Sequence, residues 1–192
     1  MVAALTGLAR LVARAGSWRR SRAFGLGVLT LAAFCLRSLR LDLQPLWWDE
    51  GYSVWFATHS LGQMASLTAQ DIHPPLYYAL LHGWIGLVGV GPVGLRLLSV
   101  LLGAAAIPAI YWAGQRLAGE RVAFLAALLL AINPLHIYYS QEVRMYGLVA
   151  LLSIGALAAA WRAMEGGRGG EGERGRMGEG ERGLRGCFWR GI

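Results

Sequence analysis

Lysine is missing from this chain of 192 residues: all 18 of its basic side chains are arginine. Any cation the protein offers to an anionic partner is therefore an arginine or a bound metal. Cysteine is almost missing as well. Cys35, in an apolar run, and Cys187, near the C-terminus, are too few and too far apart for a disulfide framework or a zinc site, and they say nothing about redox compartment. Charge of either sign is scarce. Only 15% of residues are charged against 56% hydrophobic, with a mean hydropathy of +0.45, which excludes an ordinary soluble domain. The net charge of +7 is not gathered on a polar face, as nucleic-acid binding would require; the arginines flank apolar runs. The composition predicts an all-α, polytopic helical membrane protein with no nucleic-acid partner.

What is present divides the chain into three parts. Residues 1–22 carry Arg10, Arg14, Arg19, Arg20 and Arg22 and no acid, and an apolar run from Ala23 to about Leu36 follows. The positive-inside rule makes 1–22 a cytoplasmic N-terminus and the run an uncleaved first span, since no small-residue cleavage site follows it. Arg37 and Arg40 then fall near the outer end, where snorkelling to the surface is expected, or else pairing with an anion. Further spans are predicted over Leu95–Leu117, Val122–Tyr139 and Met145–Trp161, with Arg116, Arg121 and Arg162 cytoplasmic. Residues 23–164 thus form a module of about four spans with an outer loop over 42–94. Within that loop, Pro74 and Pro75 suit the start of a helix from Leu76 to about Val90. Its fifteen residues rise roughly 22 Å, less than the ~30 Å of a hydrocarbon core, so a juxtamembrane or half-inserted helix is expected there, with a full, tilted span as the alternative. Residues 165–192 repeat Gly-Glu-Gly-Glu-Arg-Gly and are predicted to be disordered.

The chemistry concentrates at the outer ends of these segments. Asp49 and Glu50 are adjacent carboxylates among Trp47, Trp48, Tyr52 and Trp55, aromatics of the kind that collect at the membrane–water boundary. The predicted topology brings to the same side His73, Arg96 and the run Ser140-Gln-Glu-Val-Arg-Met-Tyr146, hence Glu142, Arg144 and Tyr146. Carboxylates beside arginines suit a reaction in which a phosphate leaves and a hydroxyl or amine attacks. One carboxylate can accept the attacking group's proton, and arginine can hold the phosphate through two parallel hydrogen bonds.

Four motifs occur in a telling order: Trp-Trp-Asp-Glu-Gly after the first apolar run, His-Pro-Pro-Leu-Tyr-Tyr, Leu-Arg-Leu-Leu-Ser before a small-residue helix, and Asn133-Pro134 leading into Ser-Gln-Glu-Val-Arg-Met-Tyr. In this order they resemble the N-terminal part of the GT-C integral-membrane glycosyltransferases, and especially the bacterial relatives of the dolichyl-phosphate-mannose protein mannosyltransferases and the aminoarabinose lipid A transferases. The resemblance covers roughly Ala23 to Met164. It implies a polyprenyl-phosphate sugar donor, a lipid, glycan or protein acceptor, contact with membrane lipids, and an active face on the periplasmic or extracellular side of the cell membrane. It implies Asp49 as catalytic carboxylate with Glu50 as its companion, Arg96 on the donor phosphate, and Glu142, Arg144 and Tyr146 lining the same cavity. His73 is implied as a ligand of acceptor or metal, or as a helix cap; no cofactor is certain, and a divalent metal is left open. Such enzymes have eight or more transmembrane helices, so a chain of about four reads as a truncated GT-C-like module. The alternative function is a catalytically inactive membrane protein or subunit that keeps only the packing.

Overall fold

The computed structural model describes residues 22–70 and 73–165. The basic segment 1–21 and the glycine-rich tail from 166 onwards, the segments expected to be cytoplasmic and disordered, lie outside the described residues. The described residues form helices joined by turns, bends and short irregular stretches, with no strand among them. Helix α1 covers residues 22–38, α2 Trp48–Thr58, α3 Leu61–Thr68, α4 Leu76–Val88, α5 Pro92–Leu117, α6 Glu120–Ile132, α7 Pro134–Ser140 and α8 Tyr146–Glu165. Of the described residues, those through Ile154 belong to one compact unit and the helical residues 155–165 to a second.

Local sequence fixes most of the boundaries. Asp49 and Glu50 occupy the first turn of α2, where negative charge faces the positive end of the helix dipole, and the Trp47 N–H donates to Glu50 Oε2 at 3.4 Å. Ser60 and Gln63 form a capping box at the start of α3, each side chain answering the other's backbone N–H. Helix α4 begins directly after Pro75, as the double proline predicts, and ends at Gly89, whose φ of 76° suits glycine. It is two residues shorter than expected. At thirteen residues it rises roughly 20 Å, again less than a bilayer core.

Helix α5 and helix α8 are long and apolar enough to cross a membrane. The segment expected as one span, Val122–Tyr139, is two helices, α6 and α7, bent by 59°, which taken together are long and apolar enough to cross a membrane. The cause lies at Asn133–Pro134. Proline has no N–H for the carbonyl of Leu130, while Asn133 Oδ1 accepts from the His136 N–H at 3.0 Å and starts a new helix.

At Arg37 the expectation is corrected. It neither snorkels nor pairs with an anion; its side chain is completely buried. Nη1 donates to the carbonyls of Ala33 (3.1 Å) and Ala131 (3.0 Å), and Nη2 to the carbonyl of Leu130 and to His136 Nδ1, at 3.0 and 2.9 Å. An arginine of α1 thus satisfies the carbonyls that the break leaves open at the end of α6.

Two apolar clusters carry the packing. Ala33, Ile107, Tyr111, Ala123, Ala127 and Ala131 join α1, α5 and α6 through small side chains, an arrangement that lets backbones approach closely in a membrane. Phe56, Met64, Tyr77, Tyr78, Leu81, Leu95 and Val143 join the loop helices α2, α3 and α4 to α5 and to the segment after α7. Gly103 of α5 seats α7 against it: a Cβ there would overlap the Ser140 hydroxyl.

Candidate functional site

The two adjacent carboxylates have opposite environments. Glu50 is fully buried and forms a bidentate ion pair with Arg96, Oε1 accepting from Nε at 2.8 Å and Oε2 from Nη2 at 2.5 Å. Oε1 also accepts the Val143 N–H at 3.0 Å. Arg96 gives its remaining donors to backbone: Nη1 to the carbonyls of Leu41 (2.6 Å) and Gln44 (2.9 Å), Nη2 to that of Pro45 (3.4 Å). All five N–H groups of Arg96 are thereby used. The pair ties α5 to the loop before α2, to the first turn of α2, and to the segment after α7.

Asp49, one residue earlier, has a side chain 42% exposed, and its Oδ2 lies 3.8 Å from Arg144 Nη2. Arg144 is itself 7% exposed and also reaches the Asp49 carbonyl (Nη1, 3.4 Å) and His73 Nε2 (Nη2, 3.4 Å). The guanidinium is 5.8 Å from the centre of the Tyr146 ring. Arg144 is held in place through its own carbonyl, which accepts from the Ser99 hydroxyl; that hydroxyl in turn lies 2.8 Å from the Tyr77 hydroxyl. Asp49, His73, Arg144 and Tyr146 therefore meet around one cation.

A cavity of about 320 Å³ lies on the Glu50 side, lined by Arg40, Gln44, Trp47, Glu50, Arg96, Tyr138, Gln141 and Glu142 among others. Glu142 is buried there. Burial raises its carboxyl above the ordinary value, a hydrogen bond from the Tyr138 hydroxyl opposes this, and the nearby charge of Glu50 adds to it. Trp47 also belongs to a shallow apolar groove with Leu46, Trp48, Gly51, Tyr52 and Trp55. Polar cavity and aromatic groove thus share a wall at the start of α2. Among the described residues, no group of three or more His, Cys, Asp or Glu is placed to hold a metal ion.

Every site residue expected from sequence stands in one of these two neighbourhoods, with Glu50 and Arg96 turned toward each other. Three further polar residues have no role expected from sequence. His136 accepts from Arg37, Gln141 donates to the carbonyls of Arg37 (3.1 Å) and Leu39 (2.9 Å), and Ser99 bridges Tyr77 to Arg144. Gln141 and Ser99 stand inside the motifs Ser-Gln-Glu-Val-Arg-Met-Tyr and Leu-Arg-Leu-Leu-Ser, whereas His136 lies outside both.

A family model described as dolichyl-phosphate-mannose-protein mannosyltransferase matches residues 72–171, just over half of the chain. The matched stretch contains His73, Arg96, Glu142, Arg144 and Tyr146, and begins after Asp49 and Glu50. No curated protein and no solved structure matches the chain.

Proposed function

The chain belongs to the dolichyl-phosphate-mannose-protein mannosyltransferase family, and from that premise we propose that it transfers a sugar from a polyprenyl-phosphate-linked donor to a lipid, glycan or protein acceptor at the outer face of the cytoplasmic membrane. The observation that carries this reading is the division of labour between Asp49 and Glu50. Glu50 is sealed into the ion pair with Arg96 and positions the loop, while Asp49, half-exposed and beside Arg144, is the carboxylate open to an incoming group.

Asp49 accepts the proton of the acceptor hydroxyl as its oxygen attacks the anomeric carbon of the sugar. The bond from that carbon to the phosphate oxygen breaks, and the lipid phosphate leaves with the electron pair. Arg144, 3.8 Å away, orients Asp49 before the transfer. His73, which meets the same Nη2 of Arg144 as Asp49 does, is assigned to the acceptor in this reading. The aromatic groove of Trp47, Trp48, Tyr52 and Trp55 supplies apolar surface at head-group level for the lipid or the acceptor.

Asp49→Asn keeps the shape and removes the base. Turnover is expected to fall about 10² to 10⁴-fold, the usual worth of a general base, with donor binding little changed. Sugar transfer from a polyprenyl-phosphate donor and donor binding are measured on equal amounts of folded protein. Normal turnover by this variant would remove Asp49 from the mechanism. An equal loss of turnover and of folded yield would favour a protein that keeps only the packing.

A further inference from the structure

Four arginines lie toward the end of α5 that carries Arg96, and three are buried and bonded through their guanidinium groups, with Nε of Arg37 and of Arg144 left without a partner among the described residues. Arg37 is taken up by the carbonyls of Ala33, Leu130 and Ala131 and by His136. Arg96 is taken up by Glu50 and three carbonyls. Arg144 faces Asp49 and His73. Arg40 differs from them: it is exposed, it lines the polar cavity, and among the described residues its guanidinium has no hydrogen-bond or ion-pair partner.

Its backbone is also unusual. Arg40 has φ 65°, in the left-handed region that side chains other than glycine, asparagine and aspartate rarely adopt; among the described residues it is the one non-glycine there. The strain is imposed from both sides. Gln141 Nε2 holds the carbonyl of Leu39 at 2.9 Å, Arg96 Nη1 holds that of Leu41 at 2.6 Å, and the Leu43 N–H closes the turn onto the Arg40 carbonyl at 3.3 Å. Glycine would fit this position without cost, yet arginine occupies it. Strained positions of this kind cluster at ligand sites.

We propose that Arg40 is the cation that holds the phosphoryl group of the lipid-linked substrate in the cavity beside Glu50 and Arg96. This deepens the transfer reading and rests on it. Arg96 has no donor left to give a phosphate, and in a chain without lysine the cavity has no other uncommitted cation. On the cavity lining Arg40 and Arg96 stand against Glu50 and Glu142, and with Arg96 spent on Glu50, Arg40 is the cation left to meet an incoming anion. Gln44, exposed on the same lining, adds an amide donor beside the guanidinium fork.

The test compares Arg40→Gly and Arg40→Lys with the unaltered chain in detergent micelles, using a short-chain polyprenyl phosphate as probe and inorganic phosphate and phosphatidylglycerol as competitors. Arg40→Gly is expected to weaken polyprenyl-phosphate binding about ten- to hundred-fold, the worth of charge-assisted hydrogen bonds, while its melting temperature stays level or rises. Arg40→Lys is expected to restore binding in part, since it keeps the charge and loses the fork. Unchanged binding by Arg40→Gly, or a lowered melting temperature in that variant, would overturn the proposal. Equal displacement of the probe by inorganic phosphate or by phosphatidylglycerol would reassign the site to free phosphate or to bulk lipid and overturn the carrier assignment. Arg40-dependent binding in a protein that transfers no sugar would sink the transfer reading and leave this site standing.

Discussion

At the scale of single residues, the buried pair of Glu50 and Arg96 has the largest consequences. Removing one partner leaves an uncompensated charge in the interior, so Glu50→Gln or Arg96→Met alone is expected to cost about 3 to 5 kcal/mol. The double substitution is expected to cost clearly less than the sum of the two, because each removes the charge that the other strands. Denaturant or thermal unfolding of the four proteins in micelles checks this, and additive losses would show the pair to be uncoupled. Glu142 makes a separate prediction with a definite sign. Its folded-state carboxyl is raised above the ordinary 4.5 by burial, so just above that pH the folded protein holds a proton the unfolded chain releases. Stability contributed by the protonated form is present below 4.5 and is lost as pH rises through the raised folded value. Melting temperatures measured over roughly pH 4 to 8 are expected to decline through that window, and less steeply in Glu142→Gln. An identical slope in both would place the titration elsewhere.

At the scale of elements, the bend between α6 and α7 decides where the Glu142–Arg144 segment lies. Pro134 starts α7 in a new direction, Arg37 covers the carbonyls exposed at the end of α6, and Gly103 lets the Ser140 turn sit against α5. Arg37→Met is expected to destabilise by about 1 to 3 kcal/mol for each buried carbonyl left unpaired. Pro134→Ala returns an N–H to the Leu130 carbonyl, and combined with Arg37→Met it is expected to recover part of the loss while displacing the loop and lowering any transfer. No recovery in the double variant would mean Arg37 acts only through packing of its stem. This bend also shows where the sequence was readable. Pro75 announced the start of α4 because proline at a first turn has one local meaning, whereas α5 starts at Pro92, three residues before the expected Leu95. Asn133-Pro134 was just as visible, but an apolar run on both sides read as one continuous span. What tells a break from a kink is the partner for the freed carbonyls, and that partner, Arg37, is 94 residues away from Ala131. The same limit applied at the site: the adjacent carboxylates were evident, but which one is buried depends on Arg96, which is 46 residues beyond Glu50.

At the scale of the whole molecule, the question is which side of the membrane the site faces. Helix α5 is 26 residues long and rises roughly 39 Å, enough to put its two ends on opposite sides of a ~30 Å core. The first end carries Arg96, and with it Glu50 and the backbone of Val143; the second carries Arg116, which stacks on Trp112, and leads through Gly119 to Arg121. From Arg116, Arg121 and the five arginines of residues 1–22, we propose that the second end is cytoplasmic and that the Arg96 end and its cavity face outward. Single cysteines in a background lacking Cys35 and Cys187 test this without touching the ion pairs. Trp48→Cys, at a side chain 84% exposed, and Tyr138→Cys, 57% exposed on the cavity lining, are expected to react in intact cells with a thiol reagent that cannot cross the membrane. Arg116→Cys and Arg121→Cys are expected to react only after permeabilisation. Opposite sidedness for positions 48 and 138 would separate the Asp49 loop from the Glu142 segment and dissolve the common site. Reaction of both only after permeabilisation would keep the site whole but turn it toward the cytoplasm. A sugar donor would then have to be presented from the inner leaflet, and the outward-facing transfer proposed here would be wrong.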